Sequence, residues 1–130
     1  CTLRPKVKGM RENIRVISVV DRFLEHSRVY YFRGGNADPK GGVFYIGSAD
    51  WMSRNLSRRV EVLVSIETEV IKDILYSLFL TMLGSERQAW ERQEDGSYRR
   101  IPFELPGKPS AQNILMQVTR DQVLGGTLSK

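Results

Sequence analysis

The sequence predicts an α/β or α+β domain, with strands early in the chain and helices later. Three observations carry that expectation. Residues 13–66 hold four short runs rich in β-branched and aromatic side chains. Residues 67–83 repeat apolar side chains at i, i+3 and i+4. Asp95-Gly96, flanked by two short runs, is a hairpin turn signal.

Taken in order, Asn13 to Val20 reads as a first strand, Asp21 to Glu25 as a connector and Ser27 to Phe32 as a second strand. Gly34 to Gly42 is a turn-rich loop leading to a third strand, Val43 to Ile46, which ends at Gly47-Ser48. Asp50 to Leu56 fits one or two helical turns, and Val60 to Ile66 a fourth strand. Val70, Ile71, Ile74, Leu75, Leu78, Phe79, Met82 and Leu83 make one apolar stripe, so a helix is expected over Glu67 to Leu83, capped by Ser65 or Thr68 and ended by Gly84. Gln88 to Gln93 and Ser97 to Ile101 form the hairpin. Pro102, Pro106 and Pro109 mark a linker, and Ser110 caps a final helix through Leu124 that Gly125-Gly126 close. One domain is expected over residues 1–130, with strands in 1–66 and helix, hairpin, linker and terminal helix in 67–130. A mixed sheet is compatible with this pattern.

Bulk properties narrow the function. At 130 residues and 41% hydrophobic, the chain has enough apolar material for one core. It has no apolar run of about 18 residues to span a membrane, and no secretory signal. A single cysteine, Cys1, permits no internal disulfide, which fits a cytoplasmic location. The opening Cys1-Thr2-Leu3-Arg4-Pro5 lacks Met and reads as part of a longer protein. Residues 1–59 hold 12 Lys and Arg against 5 Asp and Glu, whereas residues 60–130 hold 8 against 10. A basic first half suits an anionic partner or simply a solvated charged surface.

Chemistry-bearing residues fall in three clusters. His26, the one histidine, stands two residues before Arg28, and i and i+2 share a strand face. An imidazole beside a guanidinium fork suits a phosphoryl group. Gly47-Ser48-Ala49-Asp50 ends a strand with groups that bind oxyanions or orient an imidazole. Arg54-Asn55 and Arg58-Arg59-Val60-Glu61 follow, with Glu61 placed to hold His26 in one tautomer or to pair with an arginine. Each cluster alone has an ordinary reading: a surface histidine, a strand-to-helix junction, a surface salt bridge. No set of His, Cys and carboxylates has metal-ligand spacing.

Their order is more specific than any one of them. His-x-Arg, a glycine-rich loop, Gly-Ser-x-Asp and a later Asn and Glu resemble the phospholipase D superfamily half-site, with Arg28 in place of the usual Lys and Asp50 in place of the usual Asn. The runs Glu12 to Phe32 and Tyr45 to Leu56, continuing through Arg58-Arg59-Val60-Glu61-Val62, resemble the polyphosphate kinase family, as does Cys1-x-Leu3-Arg4-Pro5. The resemblance covers residues 1–66 closely and the remainder more loosely. It implies a phospholipase-D-like mixed sheet flanked by helices. It also implies reversible transfer of the ATP γ-phosphate to polyphosphate through a phosphohistidine that lies in an earlier domain, outside this chain. His26 then matches a second essential histidine at the nucleotide-phosphate end, with Arg28 and Ser48 as phosphate ligands and Asp50, Asn55 and Glu61 in support. Mg²⁺ would come with ATP, its ligands lying elsewhere. Implied partners are ATP or ADP, polyphosphate and the rest of the parent chain, in a homo-oligomer, with no nucleic acid. The implied location is the cytoplasm or the periphery of the inner membrane. Two alternatives stay open: a dimeric phosphodiesterase or nuclease half-site, and a non-catalytic polyanion-binding module.

Overall fold

Side chains branched at Cβ or aromatic fit a half-buried pleated surface, and they dominate the short strands found in the computed structural model. The structure describes residues 13–102 and 107–127, together with Pro5 and Gly9. In chain order the elements are β1 (Ile17–Val19), β2 (Val29–Phe32), β3 (Val43–Gly47), α1 (Ser53–Arg58), β4 (Leu63–Ile66), α2 (Glu69–Leu83), β5 (Ala89–Arg92), β6 (Tyr98–Arg100) and α3 (Ala111–Thr127). This is an α+β chain, and it falls into two compact units, Glu25–Phe79 in one and Cys1–Leu24 with Leu80–Lys130 in the other.

The Glu25–Phe79 unit is built on the sheet β2-β3-β4, antiparallel throughout. Its registers set Tyr31 opposite Phe44 and Phe44 opposite Ile66, a row across one face. Phe44 is fully buried at the centre. Its ring lies 4.6 Å from Tyr31 and 6.5 Å from Phe79 of α2, and Tyr76 of α2 meets Tyr31 edge-on at 6.1 Å. Of the expected apolar stripe on α2, Phe79 meets this row, joined by Tyr76 from outside the stripe, whereas Val70, Ile71, Ile74 and Leu83 are exposed. The glycine-rich loop is closed by a 3₁₀ turn, Pro39–Gly41, that Asp38 caps through the Lys40 N–H at 2.9 Å. The Tyr31 hydroxyl donates to the Pro39 carbonyl, and Lys40 pairs with Asp73 of α2 at 2.7 Å. Gly42 lies so close to the Tyr31 ring and the Phe32 carbonyl that no side chain fits.

The other unit carries the sheet β1-β5-β6, also antiparallel. The β5–β6 hairpin turns at Asp95-Gly96 as expected. Gly96 adopts a φ of 89°, and the Asp95 carboxylate accepts the Ser97 N–H at 2.8 Å; the Ser97 side chain first, and then this N–H, lower the Asp95 pKa. Ser110 caps α3, its hydroxyl accepting the Asn113 N–H at 3.3 Å. Buried Gln112 pairs its side-chain amide with the backbone of Phe23, accepting from N–H at 2.8 Å and donating to C=O at 2.7 Å. That amide serves as a one-residue strand partner. Among the described residues no helix is long and apolar enough to cross a membrane.

Several element boundaries differ from those read in the sequence. The first strand is Ile17–Val19 rather than residues 13–20, because its partner β5 offers only three paired positions. The second and fourth strands begin at Val29 and Leu63, since the residues before them form the loops described below. The short helix is shifted to Ser53–Arg58, and α2 starts at Glu69, after Thr68, whose carbonyl accepts the Ile71 and Lys72 N–H groups. α3 continues through Gly125, which keeps helical backbone instead of the left-handed cap a glycine stop requires. Part of the proline linker, residues 103–106, lies outside the described residues, as do most of residues 1–12.

Replacing Phe44 by Ala removes the centre of the aromatic row and should cost about 3–5 kcal/mol. Urea denaturation of the wild-type and variant chains measures it. A loss smaller than for Phe44→Leu would place the core elsewhere.

Candidate functional site

Antiparallel pairing brings the three sequence clusters together. Val29 pairs with Ile46, and Gly47 with Leu63. The residues preceding β2, those following β3 and those preceding β4 therefore share one end of the sheet. Two backbone hydrogen bonds lock the junction: Gly47 N–H to Arg28 C=O and Ser48 N–H to Val62 C=O, both 3.0 Å. A side chain at Gly47 would press on Leu63 Cδ1 at 3.0 Å and on the Val62 carbonyl at 3.1 Å, so glycine permits the close approach.

Arg28 is the hub of the first group. Its Nε donates to Asp50 Oδ1 at 2.9 Å, and Nη2 lies 2.8 Å from the same oxygen. Nη1 donates to the His26 carbonyl at 3.0 Å and contacts His26 Nδ1 at 2.7 Å, while Nη2 lies 3.0 Å from His26 Nε2. A neutral imidazole has one acceptor nitrogen, so each tautomer accepts only one of these two contacts. The Arg28 side chain is 14% exposed, whereas His26 is exposed to solvent. The pair thus presents an imidazole at the surface on a guanidinium fixed from beneath.

Ser48, Asn55 and Glu61 form the second group. The Ser48 hydroxyl donates to Glu61 Oε2 and accepts the Val62 N–H at 3.0 Å. Buried Asn55, on α1, donates from Nδ2 to Glu61 Oε1 at 2.8 Å. Flipping that amide would set an oxygen against a carboxylate, so its orientation is fixed. Tyr30 donates to the Ala49 carbonyl at 3.0 Å and holds the segment between Ser48 and Asp50.

Both carboxylates titrate below their ordinary range. The Arg28 hydrogen bond lowers Asp50, and the same bond raises Arg28. Hydrogen bonds from Ser48 and then Asn55 lower Glu61. Arg54 adds a favourable charge at Asp50, and Arg59 at Glu61.

The structure unites all six residues singled out in the sequence, with different partners from those expected. Asp50 does not touch the imidazole; it orients Arg28, which touches it. Glu61 bonds Ser48 and Asn55 rather than His26 or an arginine. The N–H groups of Gly47 and Ser48 are taken by the sheet and offer no oxyanion nest. A phosphate on the Ser48 hydroxyl would have to displace Glu61 as acceptor of its proton. His26 and Arg28 precede β2, so their contact comes from the loop and not from a shared strand face. Arg54 and Arg59, quoted in the sequence but kept out of the site, lie within electrostatic reach of its carboxylates. The signal was three arginines within residues 54–59. Tyr31 packs against Phe44, Tyr76 and Phe79, whereas Trp51 is 77% exposed and stacks on Tyr30 at 6.0 Å. Among the described residues no three His, Cys, Asp or Glu gather to hold a metal ion.

The family model described as Polyphosphate kinase C-terminal domain 2 matches residues 1–112. The chain is 49% identical over 126 residues to a polyphosphate kinase of Thermosynechococcus vestitus, covering 96% of this chain and 17% of that protein. It is 50% identical over 115 residues to one of Synechocystis sp., covering 88% and 15%. The crystal structure of polyphosphate kinase from Porphyromonas gingivalis superimposes with a TM-score of 0.80 at 26% identity, over 94% of this chain and 18% of that one. The chain therefore spans less than a fifth of the relatives it matches.

Lowered carboxylate pKa values mean stability present above the unfolded value, about 4, and lost as pH falls through the folded values. Denaturation curves between pH 7 and pH 3 should show this decline, and Asp50→Asn with Glu61→Gln should make it shallower. An equally steep decline in the double variant would assign it to other carboxylates.

Proposed function

We propose, on the premise that this chain belongs to the polyphosphate kinase C-terminal domain family, that it supplies half of a site for reversible transfer of the ATP γ-phosphate to polyphosphate. The observation that carries this reading is the convergence of His26, Arg28 and Asp50 with Ser48, Asn55 and Glu61 at one sheet end.

Phosphoryl transfer needs positioning and charge neutralisation more than protein-derived covalent chemistry. Asp50 holds Arg28, Arg28 holds His26, and the exposed imidazole meets the phosphate. There it donates a hydrogen bond to a phosphate oxygen or delivers a proton to the leaving phosphate. Glu61, fixed by Ser48 and Asn55, keeps the segment from Gly47 to Asp50 against the start of β4. The phosphohistidine that carries the phosphoryl group between nucleotide and polymer belongs to the rest of the parent enzyme. Such an intermediate splits the transfer into two steps and preserves its energy.

The two carboxylates do not fit a resident magnesium site: one is held by a guanidinium and the other by an amide and a hydroxyl. In this reading Mg²⁺ enters as part of the nucleotide substrate, and no step assigned to these residues runs through it.

In the complete enzyme, His26→Ala should abolish polyphosphate synthesis from ATP while leaving the melting temperature unchanged. Wild-type turnover in that variant would remove His26 from the reaction. The purified chain alone should not make polyphosphate from ATP; measurable synthesis would overturn the division of the site between two domains.

A further inference from the structure

We propose that the exposed edge of α1 bearing Arg54 and Arg58 is a subsite for the polyphosphate chain, holding phosphates beyond the one transferred. The inference rests on the phosphotransfer reading above and adds which substrate this edge serves.

It starts from charge. The hydrogen-bonded residues of the site carry one guanidinium, Arg28, against two carboxylates, Asp50 and Glu61. With a neutral imidazole that set is net negative and repels an anion. A polyanion settles there only where further cations outweigh the carboxylates. The adjoining segment has them: Arg54, Arg58 and Arg59 are exposed, and none is ion-paired with a described residue.

Geometry separates the three. Asn55 is buried and turned toward Glu61. Arg54, just before it, and Arg58, one turn later, share a neighbouring edge of α1. Arg59 ends the helix in extended backbone. α1 has no acidic residue, so nothing on the helix offsets this pair, and like charges one turn apart weaken a short helix. The edge begins beside Asp50 and leads away from it, the two arginines rising about 6 Å along the axis. Alternate phosphates of an extended polyphosphate match that spacing. Beyond its transferred γ-phosphate a nucleotide has only the adjacent β- and α-phosphates and then a ribose, so two arginines spaced for alternate phosphates both meet an anion only on a longer chain.

The test is steady-state kinetics of the complete enzyme making ATP from ADP and polyphosphate of long or short chain length. In the Arg54→Gln/Arg58→Gln variant, KM for long-chain polyphosphate should rise about tenfold. KM for ADP and kcat should stay unchanged, short chains should be less affected, and the salt dependence of KM for polyphosphate should weaken. The Arg54→Lys/Arg58→Lys variant should keep most of the wild-type value, and it separates lost charge from a damaged fold. Unchanged KM for long chains in the Gln variant overturns the proposal and leaves the edge a solvated surface. A raised KM for ADP alone overturns it in favour of a nucleotide subsite. If the wild-type enzyme transfers no phosphate between polyphosphate and ADP, the phosphotransfer reading fails first and this inference with it.

Discussion

One guanidinium decides where the imidazole stands. Arg28 reaches Asp50 across the end of the β2–β3 pair and, on its other side, the backbone and ring of His26. Without the carboxylate the arginine has no fixed direction; without the arginine the only histidine is a loop side chain in water. A planar fork suits this task, because its donors leave in set directions and a lysine ammonium would fix neither partner. The exposed imidazole thereby gains a defined position without being buried.

That arrangement is possible because the sheet registers put the beginnings of β2 and β4 beside the end of β3. Backbone bonds at Gly47 and Ser48 make the junction rigid before any side chain acts. The aromatic row of Tyr31, Phe44 and Phe79 anchors the same sheet against α2. Residues that look dispersed over 36 positions, from His26 to Glu61, are therefore neighbours for reasons of pleat and register alone.

The sequence carried what is local and periodic. The α2 helix, the Asp95-Gly96 turn and the Ser110 cap were each legible, because each depends on residues a few positions apart, whereas the buried face of α2 was not, since Val70, Ile71, Ile74 and Leu83 are exposed. The six candidate residues could be singled out because their spacing resembles a known pattern. Who bonds whom was not. Glu61 could have faced His26 or an arginine, and the choice of Ser48 and Asn55 follows from the strand register and the position of α1, both tertiary facts. The pairing of β1 with β5 joins segments about seventy positions apart and has no local signature. Gly125 misled for a related reason: glycine permits a left-handed stop but does not require one.

Two carboxylates beside a proposed phosphate site look like a liability, and the geometry explains their use. Neither is directed at the anion: Asp50 is turned to Arg28, and Glu61 to Ser48 and Asn55. Each trades electrostatic attraction for position, and position is what phosphoryl transfer most requires. In the proposed function, attraction is left to side chains outside the hydrogen-bonded set, where a long flexible arginine can follow a moving polymer. The two tasks respond differently to salt. Exposed arginines are screened over about 10 Å at 0.1 M ionic strength, whereas Arg28, with a side chain only 14% exposed, keeps its short bonds to Asp50. On the proposed reading, a site divided in this way loosens its hold on the polymer before it loses the alignment of its hydrogen-bonded groups.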